Sequence, residues 1–230
     1  MGSVAKLSSE VRRAAIIKAV RRVFAEKGFD GTTTRELAEA AGVSEALLFK
    51  HFPTKEALFE AMQLSCCAAQ NQGAFARLNA LEPSASTLVL MVHFLVSRML
   101  GRCSSPDDEF IIQNRLMLRS FAEDGEFARM ALRGLSGHWL PKVSECLKAA
   151  AAAGELLPGP VCPTASGWFA HHLPVTIMTY LFPAEPVVDY GLPRDQLVEQ
   201  AVWFILRGMG LKEESIQRHY NPKALALLVD

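Results

Sequence analysis

TTTRELAEAAGVSEALLFKHFPTKEALFEAM, residues 32–62, is the stretch whose reading decides the fold. Thr33-Thr34-Arg35-Glu36 makes a capping box: the Thr33 hydroxyl can accept from the Glu36 amide, while the Glu36 carboxylate reaches back to the Thr33 amide. A short helix follows with Leu37, Ala38 and Ala41 on one side, and Gly42 supplies the positive φ that ends it. Ser44 caps a second short helix from 45 to about 52. Pro53 cannot continue the hydrogen-bond ladder, so the chain turns there. Thr54 caps a longer helix through Leu58, Phe59 and Met62. Two short helices joined by a brief Gly-containing turn are a helix-turn-helix.

Working outward, Ser8 or Ser9 can cap a first helix reaching about Lys27, with Gly28 as its left-handed stop. Ala15, Ile16, Ala19, Val20, Val23 and Phe24 recur along it at helical spacing. Beyond residue 80 the pattern stays helical. Helices are expected at 88–100, 110–122, 127–153 (in two pieces around Gly134 and Gly137), 165–182 and 195–209. Asp107 or Asp108 would cap the second of these, and a last turn would lie near 222–229. No segment alternates as a strand should, so the fold class is all-α. The organisation expected is a three-helix DNA-binding domain at 1–55, a larger helical domain at 56–211 entered through a long fourth helix, and a tail at 212–230.

The bulk composition narrows the function classes. Of 230 residues, half are apolar, which suits a packed core and excludes a disordered chain. The formal net charge is zero, but residues 1–60 carry ten basic against eight acidic side chains. The basic surplus therefore sits at the N-terminal end, as a polyanion partner would require. No apolar run reaches the ~18 residues of a membrane span and no signal peptide opens the chain, so a cytoplasmic protein is expected. Cys66, Cys67, Cys103, Cys146 and Cys162 are scattered, without CxxC spacing, and read as small buried apolar residues.

Thr33, Leu37, Ala38, Ala41, Gly42, Val43, Ser44, Leu48, Phe49, His51, Phe52, Lys55 and Leu58 fall at the spacing of a known pattern. In it they resemble the DNA-binding module of the TetR family of transcriptional repressors. The resemblance covers about a quarter of the chain. It implies a dimeric regulator that binds a palindromic operator in double-stranded DNA and is released by a small-molecule effector.

The residues support the same roles on physical grounds. Val43, Leu48 and Phe52 fix the second short helix against its neighbours, which leaves Ser44, Glu45, Ala46, Leu47, Lys50 and His51 facing outward. In this motif the N-terminal part of that helix enters the major groove. Ser44, Glu45, Ala46 and Leu47 are the candidates for base edges; Glu45 could accept from cytosine N4, and Ala46 or Leu47 could pack on a thymine methyl. Thr33 and Thr34, with Arg35 beside them, and Lys55 sit at helix starts where amides and dipole favour phosphate. Lys50 and His51 are donors at the far end. Phe49 stands where the family usually has Tyr, so one phosphate hydrogen bond is lost.

The family resemblance further implies that the last two strong helices pair with their copies in a four-helix bundle. Trp168, Phe169, Leu173, Ile177, Leu197, Ala201, Phe204 and Ile205 are the candidate dimer residues, because these helices carry more apolar surface than one buried stripe needs. It also implies a cavity for an apolar effector of unknown identity, with His93, Phe94, Met117, Trp139, Trp168, His171 and His172 as candidate lining. No metal site is expected: His171 and His172 are adjacent on a helix and cannot point one way, and no HxxxH or CxxC occurs. No cofactor is expected either.

Two other classes compete. An enzyme would need a nucleophile with its base, a phosphate loop or a metal motif, and there is no G-x-S-x-G, GxxxxGK[ST] or HExxH; the expectation is not an enzyme. The remaining alternative is a ligand-binding or interaction protein whose helix-turn-helix only packs.

Overall fold

The computed structural model describes residues 8–70, 74–101, 109–160, 162–183 and 185–229. The helices are α1 Ser9–Lys27, α2 Thr34–Ala40, α3 Glu45–His51, α4 Lys55–Gln70, α5 Ala74–Ala80 and α6 Ala85–Leu100. They continue as α7 Glu109–Ala122, α8 Glu126–Ala152, α9 Pro163–Leu181, α10 Arg194–Gly208, α11 Glu213–His219 and α12 Pro222–Val229. Among the described residues the one β-like pairing is an isolated antiparallel bridge between Leu156 and Leu211. The all-α reading holds.

The chain divides into two compact units, Met1–Asn71 with Ser105–Leu132, and Gln72–Ser104 with Arg133–Asp230. In the first, Ile16, Val20 and Phe24 lie four residues apart on one face of α1 and are buried. They pack with Leu37 and Ala38 of α2, Leu48 of α3, Phe52, and Leu58 and Met62 of α4. Ile112 and Leu116 of α7 and Phe127 of α8 complete this core. The joining of α7 to the N-terminal helices was not legible in the sequence, because contacts between segments so far apart leave no local pattern. Its anchor is specific: the Arg119 guanidinium donates to the Glu26 carbonyl at 3.0 Å. A Cβ on Gly28 (φ 74) would come within 2.4 Å of that same guanidinium.

In the second unit α6 is buried on nearly all sides, from Leu88 to Leu100, as its uniformly apolar sequence requires. α9, α10, α11 and α12 all pack on it. Gly167 lets α9 approach α8 closely, since a Cβ there would meet Leu140 at 2.6 Å. The expected break of the 127–153 helix does not occur. α8 runs unbroken through Gly134, Gly137 and Pro141. The proline removes one backbone donor, and the burial of Trp139, Val143, Cys146, Leu147 and Ala150 outweighs that loss. The tail forms two helices fastened to the α8–α9 connection: the Lys212 amide donates to the Glu155 carbonyl at 2.9 Å, and the Leu157 amide to the Gly210 carbonyl at 2.7 Å. The Glu155 carboxylate accepts from Arg218 at 3.0 Å and lies 3.3 Å from His219 Nε2.

Cys146 is buried as expected, but Cys162 is exposed. Its sulfur accepts from the Ala165 amide at 3.4 Å as the cap of α9, so a thiol here substitutes for the usual hydroxyl. Cys66 and Cys67 fall within α4, whereas Cys103 and the proposed caps Asp107 and Asp108 lie outside the described residues.

Candidate nucleic-acid interface

Each short helix is built by the local devices that the sequence contains. The Thr33 hydroxyl accepts from the Glu36 amide at 3.3 Å and the Glu36 carboxylate accepts from the Thr33 amide at 2.9 Å. Lys27 also donates to Glu36. That lysine first, and then the Thr33 amide and hydroxyl, hold the Glu36 carboxyl down to about 2. The turn is closed by the Gly42 amide on the Glu39 carbonyl at 3.1 Å and the Val43 amide on Ala38 at 3.0 Å, with Gly42 at φ 64. Ser44 caps α3 by accepting from the Leu47 amide at 3.2 Å. Thr54 caps α4 by accepting from the Ala57 amide at 3.1 Å.

The inner face of α3 is locked by Leu48 and Phe52, which are 2% and 1% exposed. Arg13 of α1 reinforces it in two ways. Its guanidinium lies 4.0 Å from the centre of the Phe52 ring and also donates to the His51 carbonyl at the end of α3. The pattern of the sequence does not reveal this role, since Arg13 reads there as one more solvated cation.

The opposite face is open. Ser44, Glu45, Ala46, Phe49 and Lys50 are exposed, and Leu47 and His51 half-buried. Three groups expected to grip phosphate are already engaged. The Thr33 hydroxyl and amide are committed to Glu36. Lys55 donates to the buried Thr32 carbonyl at 2.7 Å and stands 4.3 Å over the Phe29 ring. The Thr34 hydroxyl donates to Glu45 Oε2 at 2.8 Å, joining the first residue of α2 to the first of α3. Arg35 pairs with Glu39 at 3.0 Å on the exposed side of α2, a contact weak enough to exchange for another anion.

Of the seven candidate pocket residues, Met117 packs against the core of the first unit and the other six belong to the second. His93, Phe94, Trp139 and His171 are buried. Trp168, His171 and His172 form one ring cluster, with Trp168 stacked on His172 at 5.5 Å and edge-on to His171 at 6.1 Å. His93 faces Tyr220 at 5.7 Å between ring centres. Sequence reasoning missed Tyr220, which sits in a tail whose folding no local signal announced. Nδ1 of His93, Nδ1 of His171 and the Tyr220 hydroxyl are buried with no hydrogen-bond partner among the described residues. Burial lowers the His93 pKa and raises that of Tyr220. Burial, then the neighbouring His172, lowers His171 to about 4.

The candidate dimer residues separate into two groups. Ile177, Leu197, Ala201 and Ile205 are buried within the chain itself. Phe169 and Phe204 are 62% and 70% exposed, while Trp168 and Leu173 are half-buried. Among the described residues no three His, Cys, Asp or Glu side chains are placed to hold a metal ion. No described helix is long and apolar enough to cross a membrane.

A locked inner face and an open outer face on the second of two short helices have the form of a helix-turn-helix. Residues 16–62 match the family described as bacterial regulatory proteins, tetR family. The match covers the helix-turn-helix and the helices on either side of it, about a fifth of the chain. It is 42% identical over 62 residues to the HTH-type transcriptional repressor AcnR of Corynebacterium diphtheriae, a match covering 27% of this chain and 33% of that protein. It is 30% identical over 125 residues to the nucleoid occlusion factor SlmA of a Marinomonas species, covering 53% of this chain and 57% of that one. The chain thus spans about a third to just over half of the length of these curated relatives. The fold extends further. A crystal structure of AibR in complex with isovaleryl coenzyme A and operator DNA superposes with TM-score 0.61 at 20% identity, covering 84% of this chain and 97% of AibR.

Proposed function

We propose that this protein is a cytoplasmic transcriptional repressor that binds a palindromic operator as a homodimer and leaves it when a small molecule binds the second unit. The observation that carries the reading is the two-faced α3, with Leu48 and Phe52 buried while Ser44, Glu45, Ala46 and Lys50 stand exposed.

Dimerisation is supported by Phe169 on α9 and Phe204 on α10, two large aromatic side chains open to solvent. Aromatic anchors of this kind are typical of the centre of protein interfaces, and two-fold symmetry matches two half-sites. Effector binding is supported by the buried unpaired atoms of His93, His171 and Tyr220, because buried polar groups normally have partners. The solved AibR complex, with operator DNA and isovaleryl coenzyme A, is a precedent for both partners on this fold. Release follows if the effector prefers one of two states of the dimer, since equal affinity for both would shift nothing.

The test is enrichment of binding sites from a random double-stranded DNA library by the full-length protein. The expected result is one inverted repeat, bound with an affinity that falls steeply with salt and falls again in Lys50→Ala. Enrichment of no sequence overturns the reading. Phe204→Glu should convert a dimer to a monomer in sedimentation and abolish binding to the repeat.

A further inference from the structure

The contact between Thr34 and Glu45 is not explained by phosphate gripping. The α3 dipole favours a carboxylate at its first residue, but phosphates near a DNA-reading helix repel it, so its presence there calls for a further compensating partner. Two are on the page. One is the Thr34 hydroxyl at 2.8 Å, across the turn. The other is what a major groove can offer. A carboxylate only accepts hydrogen bonds, so it can meet the N4 amine of cytosine or the N6 amine of adenine. It is rejected by O6 and N7 of guanine and by O4 of thymine. Adenine sets its N7 acceptor beside N6, which repels the second carboxylate oxygen, while cytosine sets only C5–H there. Cytosine is the better fit.

A free glutamate at an exposed helix start samples many rotamers, and freezing it on a base costs conformational entropy. The bond from Thr34 removes much of that freedom before DNA arrives. It also occupies the one proton that the Thr34 hydroxyl can donate, so Thr34 cannot give it to a phosphate at the same time. Arg35, one residue away, pairs with Glu39 at 3.0 Å. We infer that Thr34 is a positioning residue that fixes the Glu45 carboxylate as a reader of one cytosine in each half-site.

This rests on the DNA-binding reading above, and the experiment separates the two. Full-length wild type, Thr34→Val, Thr34→Ser and Glu45→Gln are each taken through site enrichment. Affinities are then measured on four duplexes that differ only at the base pair assigned to Glu45. Wild type should prefer cytosine over thymine by about tenfold or more. Thr34→Val keeps the size of the side chain but not its hydroxyl, and should reduce that preference to within about threefold. Thr34→Ser should restore it. Glu45→Gln should move the preference to adenine, whose N6 and N7 suit an amide. Equal loss of affinity on all four duplexes in Thr34→Val would mean that Thr34 serves phosphate or the fold, and overturns the inference while leaving the repressor reading intact. Unchanged base preference in Thr34→Val or in Glu45→Gln overturns it as well. Wild type that enriches no sequence removes both.

Discussion

The two units differ in how some of their buried and half-buried polar groups are satisfied. Around α2 and α3, polar side chains find partners nearby: Thr33 and Lys27 with Glu36, Thr34 with Glu45, and Lys55 and Arg13 with the Thr32 and His51 backbone carbonyls. In the second unit His93, His171 and Tyr220 each bury a polar atom that nothing among the described residues satisfies. A buried polar group without a partner costs about 1–3 kcal/mol, and a fold retains such a cost where another molecule relieves it. The first arrangement fixes the side chains around α2 and α3 without any further partner. The second leaves atoms whose hydrogen bonds the chain itself does not complete among the described residues.

The strongest way to break this comparison is at the core of the reading head. Phe52→Ala removes a side chain that is 1% exposed and lies under the Arg13 guanidinium. It should destabilise the first unit by about 3–5 kcal/mol, read from denaturant unfolding, with loss of DNA binding. A loss below about 1 kcal/mol would mean that α3 is not held as described.

Next in size is acid. His171 has a pKa lowered from 6.5 to about 4 in the folded chain. Its neutral form is favoured by folding, so between these values the unfolded chain binds more protons. Its contribution is complete above about pH 6.5 and is lost as pH falls towards 4, on the order of 3 kcal/mol in all. His171→Gln should flatten this part of the pH–stability curve, leaving carboxylates such as Glu36 to act at lower pH.

Smaller, and opposite in sign, is Tyr220→Phe. Deleting an unpaired buried hydroxyl should leave stability unchanged or raise it by about 1 kcal/mol. A clear loss would show that the hydroxyl has a partner after all and would weaken the contrast between the units. The smallest effect is Thr33→Ala, which removes a cap at a cost of about 1 kcal/mol, measured by thermal unfolding.

What could be read in advance follows the distance over which each feature is decided. Ser8, Thr33, Ser44 and Thr54 cap where the sequence says, and Gly28 and Gly42 take the positive φ expected of them. Each of those devices works within about four residues. The outward set from Ser44 to Lys50 was legible for the same reason, since helical periodicity sorts inside from outside once Leu48 and Phe52 are inside. The continuity of α8 was not legible, because two glycines and Pro141 argue locally for a break that burial of Trp139 and Val143 overrides. Nor was the fate of Ile177, Leu197, Ala201 and Ile205, whose apolar side chains suit a partner subunit as well as the chain's own core.

The sequence by itself determined an all-α chain, the helix-turn-helix, its caps and its outward face, because spacing and capping chemistry are local and few alternatives satisfy them. Only the tertiary structure decided that α7 closes the first core, that the tail folds back onto α6, and that Lys55 and Thr33 are already occupied. It alone paired Thr34 with Glu45 and left Nδ1 of His93, Nδ1 of His171 and the Tyr220 hydroxyl without a hydrogen-bond partner among the described residues. Those outcomes depend on which distant surfaces come together, and a side chain's type states what it can bond to but not what will be there.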